Sequence, residues 1–105
     1  MPWPCAYEFL RIVTHPRLFE TPASSRDAIR TLSELRESPS LSMLGDGPAH
    51  ARYMSIAISD SEAAGNLAHD AHIAALCLEH GVSEIYTMDR DFVRFRGFKV
   101  TRPFA

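Results

Sequence analysis

Apolar residues recur at the spacing of an α-helix in four stretches of the chain. Each stretch carries helix start or stop signals, such as a serine before it, a proline in its opening turn, or a proline or glycine after it. The predicted helices are CAYEFLRIVTHP, SRDAIRTLSELRES, PAHARYMSIAISD and residues 66–80 within GNLAHDAHIAALCLEHG.

Shorter apolar segments alternate with these helices. Leu41 to Leu44 is a candidate strand closed by Gly-Asp-Gly, SEIYTMD is a strand rich in β-prone residues, and GFKVTRP is a last strand. The segment RDFVRF between the last two is predicted to form a helical turn. This alternation indicates an α/β domain with a mainly parallel sheet, although three strands are few for a sheet and the chain opens directly on a helix.

Composition and charge fit one small globular domain. The chain has 105 residues, 46% of them hydrophobic, and a net charge of -2, so no global basic field indicates nucleic acid, although a local arginine patch would suffice. No apolar run approaches the roughly 18 residues of a membrane helix. The start does not have the pattern of a signal peptide, and the two cysteines lack zinc-site spacing. We therefore expect a cytoplasmic protein.

Acidic residues occupy positions where chemistry is common. Asp89 and Asp91 follow a predicted strand, and the carboxyl ends of parallel strands form the site edge of such sheets. Asp70 lies near the start of the 66–80 helix and shares a helix face with Asn66, four residues earlier. Glu8 lies in the middle of a short apolar helix.

Each of these acids has a simpler interpretation when it is taken alone. Asp70 would interact favourably with the helix dipole, Glu8 would be solvated, and Asp89 or Asp91 would form an Asx-type turn. Several carboxylates gathered at one edge would repel each other, and a hard cation such as Mg²⁺ or Mn²⁺ resolves that repulsion. Together these residues therefore predict a metal site able to activate water against a phosphoryl group.

Histidines offer an alternative metal site. His69 and His72 are three residues apart, so both could bind one transition metal from one helix face. Asp70 points about 100° away from His69 on a helix, and the motif is not HExxH. Partly exposed polar residues are therefore the favoured interpretation of this pair.

Arginines accompany the acidic segments. If those segments converge, the arginines would form a positive rim suited to a nucleic-acid backbone, although any one of them is more often simply solvated. They are Arg11, Arg17, Arg90, Arg94 and Arg96.

These motifs together resemble the PIN-domain family, specifically the VapC-type ribonuclease toxins of type II toxin–antitoxin systems. The resemblance runs from about Trp3 to Pro103, and in residues 21–61 it rests on the helix pattern alone. It implies a PIN-like three-layer α/β/α fold with a mainly parallel sheet, forming a single domain over residues 1–105. The segments that carry it are EFLRIVTHPRLF, GNLAHDAHIAALCLEHG and TMDRDFVRFRGFKVTRP.

Residue roles follow from the resemblance. Glu8, Asp70 and Asp89 match the second, third and fourth acidic positions of the family, which are its catalytic and metal-binding residues. Asp91 matches a neighbouring acidic position that also binds metal, and Thr87 matches a hydroxyl residue beside the site. Asn66, which shares a helix face with Asp70, is expected to lie beside the site as well. The candidates for binding RNA phosphates are Arg11, Arg90 and Arg94.

The family's first acidic position lies on an N-terminal strand that has no match here. We therefore expect an N-terminally truncated form with little activity of its own. The resemblance implies Mg²⁺- or Mn²⁺-dependent RNA cleavage, a cognate antitoxin, and pairing as a homodimer. The alternative is a catalytically inactive PIN remnant that binds an antitoxin or itself, and a further possibility is an α/β domain whose acids have no functional role.

Overall fold

The computed structural model describes residues 1–87 and 89–103, without the side chain of Arg90. The chain divides into two compact units, Met1–Leu44 and Gly45–Ala105. A single domain over residues 1–105 stays a prediction.

The first unit contains two helices in contact, α1 (Trp3–Val13) and α2 (Ser25–Arg36). Helix α1 ends just before the predicted His15-Pro16 stop, because the residue before a proline disfavours helical geometry. Ser24 is the cap of α2, since its hydroxyl accepts the backbone N–H of Asp27 at 3.1 Å. Both helix predictions are confirmed.

The predicted strand from Leu41 to Leu44 is wrong. Within the described residues, Leu44 forms an isolated parallel bridge with Pro2. Two hydrogen bonds make this bridge, from Trp3 N–H to Leu44 O at 3.0 Å and from Leu44 N–H to Met1 O at 2.8 Å. Pairing does not extend along the segment, so the apolar residues before Leu44 do not continue the ladder.

The second unit is built on α3 (His50–Ser61) and α4 (Leu67–Glu79), which pack against each other. Helix α4 is apolar on most sides, as expected for a buried helix, and its alanines permit close packing. Its buried residues are Ala71, Ile73, Ala74, Ala75, Leu76 and Cys77. Pro48 precedes α3 rather than standing in its first turn, because the helix begins after Ala49.

Two short strands complete this unit, β1 (Glu84–Tyr86) and β2 (Lys99–Thr101). They pair in parallel, with Ile85 opposite Val100. A 3₁₀ helix, Arg90–Arg94, lies in the crossover between the strands and contacts α4. The predicted strands, the helical turn and the parallel pairing are confirmed, and the fold class is α/β. None of the helices in the described ranges is long and apolar enough to cross a membrane.

Candidate metal site and nucleic-acid interface

The end of β1 arranges its polar residues through local hydrogen bonds. The backbone N–H of Thr87 donates to Thr101 O at 3.1 Å, which extends the pairing with β2 by one residue. The hydroxyl of Thr87 accepts the backbone N–H of Asp89 at 3.1 Å. Asp89 Oδ1 in turn accepts the N–H of Asp91 at 2.9 Å and so caps the 3₁₀ helix. Asp89 therefore forms the kind of turn that its simpler interpretation predicts, and the hydrogen bonds of this turn fix its position.

The structure brings Asp70 together with this strand end. Asp70 lies in the first turn of α4. Asp70, Asp89 and Asp91 each offer a carboxylate oxygen, and these oxygens lie within 4.8 Å of one another. Around an octahedral Mg²⁺ with bonds of about 2.1 Å, ligand oxygens are about 3.0 to 4.2 Å apart. Small side-chain rotations would therefore bring these oxygens to ligand distance, and an all-oxygen donor set suits a hard dication. We call this group the acidic cluster.

Glu8 belongs to the first unit, in the middle of α1. Its carboxylate Oε2 accepts a hydrogen bond from Arg11 Nε at 3.2 Å. This hydrogen bond raises the pKa of the Arg11 guanidinium above its ordinary value. Glu8 as a metal ligand and Arg11 as a phosphate contact both stay predictions.

The remaining predicted residues lie around the acidic cluster or outside the described part. Arg94 Nε is 3.9 Å from Asp91 Oδ1, so a half-exposed positive charge borders the cluster. Asn66 directly precedes α4, one turn before Asp70. The side chain of Arg90 lies outside the described residues. These roles were predicted from position, and they stay predictions.

A second group of polar residues was missed by sequence reasoning. Asp46 Oδ1 accepts a hydrogen bond from His72 Nε2 at 2.9 Å and lies 3.8 Å from His50 Nδ1. The two imidazole rings meet edge to face at 5.3 Å. We call these three residues the histidine cluster. The hydrogen bond from His72, with the charge of His50 as a smaller influence, lowers the pKa of the Asp46 carboxyl.

His72 contacts other residues than His69, with which the alternative metal site paired it. His69 is exposed on α4, whereas His72 faces Asp46 and His50 across the cleft between α3 and α4. The available signal was the four-residue spacing of Asp46 and His50 at a helix start. The contribution of His72 depends on the packing of α3 against α4, which spacing alone does not give.

Comparison with known proteins identifies the family. The PIN domain family model matches residues 4–97. Ribonuclease VapC48 of Mycobacterium tuberculosis is 32% identical over 103 residues, covering 98% of this chain and 71% of that protein. Ribonuclease VapC33 of the same organism is 34% identical over 104 residues, covering 96% and 70%. Ribonuclease VapC43 is 36% identical over 95 residues, covering 90% and 64%. The chain therefore belongs to the PIN domain family, and within that family it is of the VapC type.

Proposed function

We propose that this chain is a Mg²⁺- or Mn²⁺-dependent endoribonuclease that cleaves RNA phosphodiester bonds. The observation that carries the proposal is the gathering of Asp70, Asp89 and Asp91 at the end of β1 in a PIN-domain chain. The relatives described above are named as ribonucleases, which supports RNA as the substrate.

In this proposal the acidic cluster holds the metal, with Glu8 as a further ligand from α1. A bound divalent ion supplies Lewis acidity to a phosphoryl oxygen and to a water molecule. Asp70 contributes a carboxylate from a helix start, where the dipole stabilises its ionised form. Asp89 is oriented by its bonds to Thr87 and to the 3₁₀ helix, so its carboxylate needs little reorganisation.

Arginines would position the RNA in this proposal. Arg94 borders the acidic cluster through Asp91, and a guanidinium there suits a phosphate next to the one that is cut. Arg11 and Arg90 are the other proposed phosphate contacts. Screening by salt should weaken all such contacts, so cleavage should fall as ionic strength rises.

The proposal also includes two protein partners, an antitoxin and a second copy of this chain. A cognate antitoxin would cover the acidic cluster, and two chains would pair as a homodimer in the cytoplasm. Large apolar side chains exposed in the first unit support such contacts, since Tyr7 of α1 is 70% exposed and Ile29 of α2 is 55% exposed.

The test compares two aspartates that lie in the first turns of two different helices. Asp70 lies in the first turn of α4 and Asp27 in the first turn of α2, so both interact with a helix dipole. Asp70→Asn should reduce whatever Mg²⁺-dependent RNA cleavage the wild-type chain shows by about 100-fold or more, because a metal ligand is lost. Asp27→Asn should leave the rate within about twofold, since Asp27 has no part in the cluster.

The same pair of variants should be compared for Mn²⁺ binding by electron paramagnetic resonance, with circular dichroism to verify the fold. Loss of cleavage and of Mn²⁺ binding in Asp70→Asn alone is the expected result. Equal effects of both substitutions would mean that Asp70 serves only the helix dipole. A wild-type chain that binds an antitoxin but neither Mn²⁺ nor Mg²⁺ would contradict the nuclease proposal and favour the inactive binding module.

A further inference from the structure

The histidine cluster has the spacing of a small metal site. Asp46, His50 and His72 each offer one ligand atom, and these atoms lie within 4.8 Å of one another. Asp46 Oδ1 lies 2.9 Å from His72 Nε2 and 3.8 Å from His50 Nδ1. Ligand atoms of a tetrahedral ion with bonds of about 2.0 Å are about 3.3 Å apart. The two separations bracket that value.

His50 carries an unsatisfied polar atom. Its side chain is 18% exposed, and its Nδ1 is buried without a hydrogen-bond partner among the residues that the structure describes. The nearest acidic oxygens are Asp46 Oδ1 at 3.8 Å and Glu79 Oε1 at 3.6 Å, both beyond hydrogen-bond distance. A buried nitrogen in this state is uncommon in native proteins, and a cation bound at Nδ1 would satisfy it.

Glu79 adds a fixed negative charge beside the cluster. Its side chain is 6% exposed, and it accepts the backbone N–H groups of Gly47 at 3.1 Å and Ala49 at 3.2 Å. A Cβ at Gly47 would require the Glu79 carboxylate to shift away from its present position. Glu79 therefore ties the segment that follows Asp46 to α4 and sets the distance between Asp46 and His50. Two carboxylates beside two imidazoles favour a bound cation.

We propose that Asp46, His50 and His72 form a binding site for a divalent transition-metal ion, with Zn²⁺ preferred over Mg²⁺. Imidazole nitrogens suit zinc, whereas Mg²⁺ prefers oxygen ligands in octahedral geometry. The metal replaces the proton that His72 Nε2 shares with Asp46, so binding releases a proton when that nitrogen carries one. Three protein ligands leave a fourth position to water, on the side where Asp46 and His72 are accessible.

This site is separate from the acidic cluster and does not depend on the proposed function. Asp70 and His72 are two residues apart on α4, so their side chains point about 160° apart around the helix axis. Zinc bound between α3 and α4 would therefore fasten the two helices together without occupying the acidic cluster.

Zinc affinity should be measured on the full chain by competition with a chromophoric chelator, in wild type and four variants. His72→Gln and Asp46→Asn should each weaken Zn²⁺ binding by at least about tenfold, since each removes a ligand. His69→Gln is the matched control, because His69 is an exposed histidine on the same helix. Asp70→Asn tests the acidic cluster, and both controls should stay within about twofold of wild type.

Two further readouts keep the result independent of folding defects. Circular dichroism checks each variant, and imidazole ¹⁵N shifts of the wild-type chain report His50 and His72 directly. Zinc should shift both signals, and Mg²⁺ at the same concentration should shift neither. The proposal is overturned if wild type takes up no Zn²⁺, if those signals do not move, or if Asp70→Asn rather than His72→Gln removes the zinc.

Discussion

Asp70 and His72 are two residues apart on α4, yet they belong to clusters of different chemistry. The acidic cluster offers carboxylate oxygens from a strand end, a 3₁₀ helix and a helix start. The histidine cluster offers two imidazole nitrogens and one carboxylate from a loop, α3 and α4. Hard and borderline metal ions would therefore divide between two faces of one helix.

The clusters also differ in how far hydrogen bonds within the protein satisfy their polar atoms. Asp89 Oδ1 already accepts a backbone N–H, and its own N–H is bound by Thr87, so local bonds hold this part of the acidic cluster. His50 Nδ1 lacks a hydrogen-bond partner within the described residues. The comparison teaches that a turn can hold clustered carboxylates in place through backbone hydrogen bonds alone, whereas a buried imidazole between packed helices leaves an atom for a ligand to satisfy.

The largest effect is expected at Leu76, which lies in α4, the helix that carries both Asp70 and His72. Leu76 is fully buried in α4, so Leu76→Ala should lower the free energy of unfolding by about 2–5 kcal/mol and weaken both metal sites. Leu35→Ala on α2 is the control, because Leu35 is 43% exposed and should cost less than about 1 kcal/mol. Urea denaturation measures both, and equal costs would show that α4 is not the common support.

Local patterns predicted the helices because their signals lie within a few residues. The serine before α2 and the proline after α1 act on their own helices, so α1, α2 and α4 begin and end close to the predicted residues. The segment from Leu41 to Leu44 was predicted wrongly, because a strand needs a partner, and within the described residues Leu44 pairs with Pro2 alone.

The residues of the two clusters also differ in whether their sequence signals are local. Asp89 and Asp91 were recognisable since they directly follow a strand, and Asp70 since it opens a helix of small residues. The histidine cluster joins residues 26 apart in sequence, Asp46 and His72, through the packing of α3 against α4. No local pattern encodes that contact, so spacing led to the pair His69 and His72 instead.

A substitution at Glu79 should affect the histidine cluster more than the acidic cluster. Glu79→Gln replaces one acceptor oxygen with an amide that cannot accept the N–H of Gly47 or Ala49, and it removes the charge 3.6 Å from His50 Nδ1. The expected loss of stability is about 1 kcal/mol, because one hydrogen bond from a part-buried or exposed N–H is lost. Zinc binding should weaken while Mn²⁺ binding is unchanged, as measured by calorimetric titration. Equal loss of both metals would contradict separate sites.

A substitution at Asp91 should weaken metal binding at the acidic cluster and leave the histidine cluster unchanged. Asp91→Asn removes one of three gathered carboxylates, so Mn²⁺ affinity should fall by about tenfold. Arg94, 3.9 Å away, would then add positive charge without its acidic partner and oppose the metal further. Zinc affinity serves as the internal control and should not change. Unaltered Mn²⁺ binding would remove Asp91 from the proposed ligand set.

The smallest expected effect is at Thr87, whose hydroxyl touches the acidic cluster through the backbone of Asp89. Thr87→Val keeps the shape and the β-branching of the side chain but removes the oxygen that accepts the Asp89 N–H at 3.1 Å. One net hydrogen bond is worth about 0.5–1.5 kcal/mol, so stability should fall by that amount. Thr87→Ser keeps the hydroxyl and is the matched control.

The effect of Thr87→Val on metal binding should be indirect. Without the Thr87 bond, the Asp89 backbone is held less firmly, so Mn²⁺ affinity should fall by only about twofold to fivefold, less than for loss of a carboxylate. Thr87→Ser should restore most of the loss, and zinc affinity should be the same in all three proteins. If Thr87→Val and Thr87→Ser weaken Mn²⁺ binding equally, the methyl group rather than the hydroxyl positions the strand end. The local bonds would then no longer distinguish the acidic cluster from the histidine cluster.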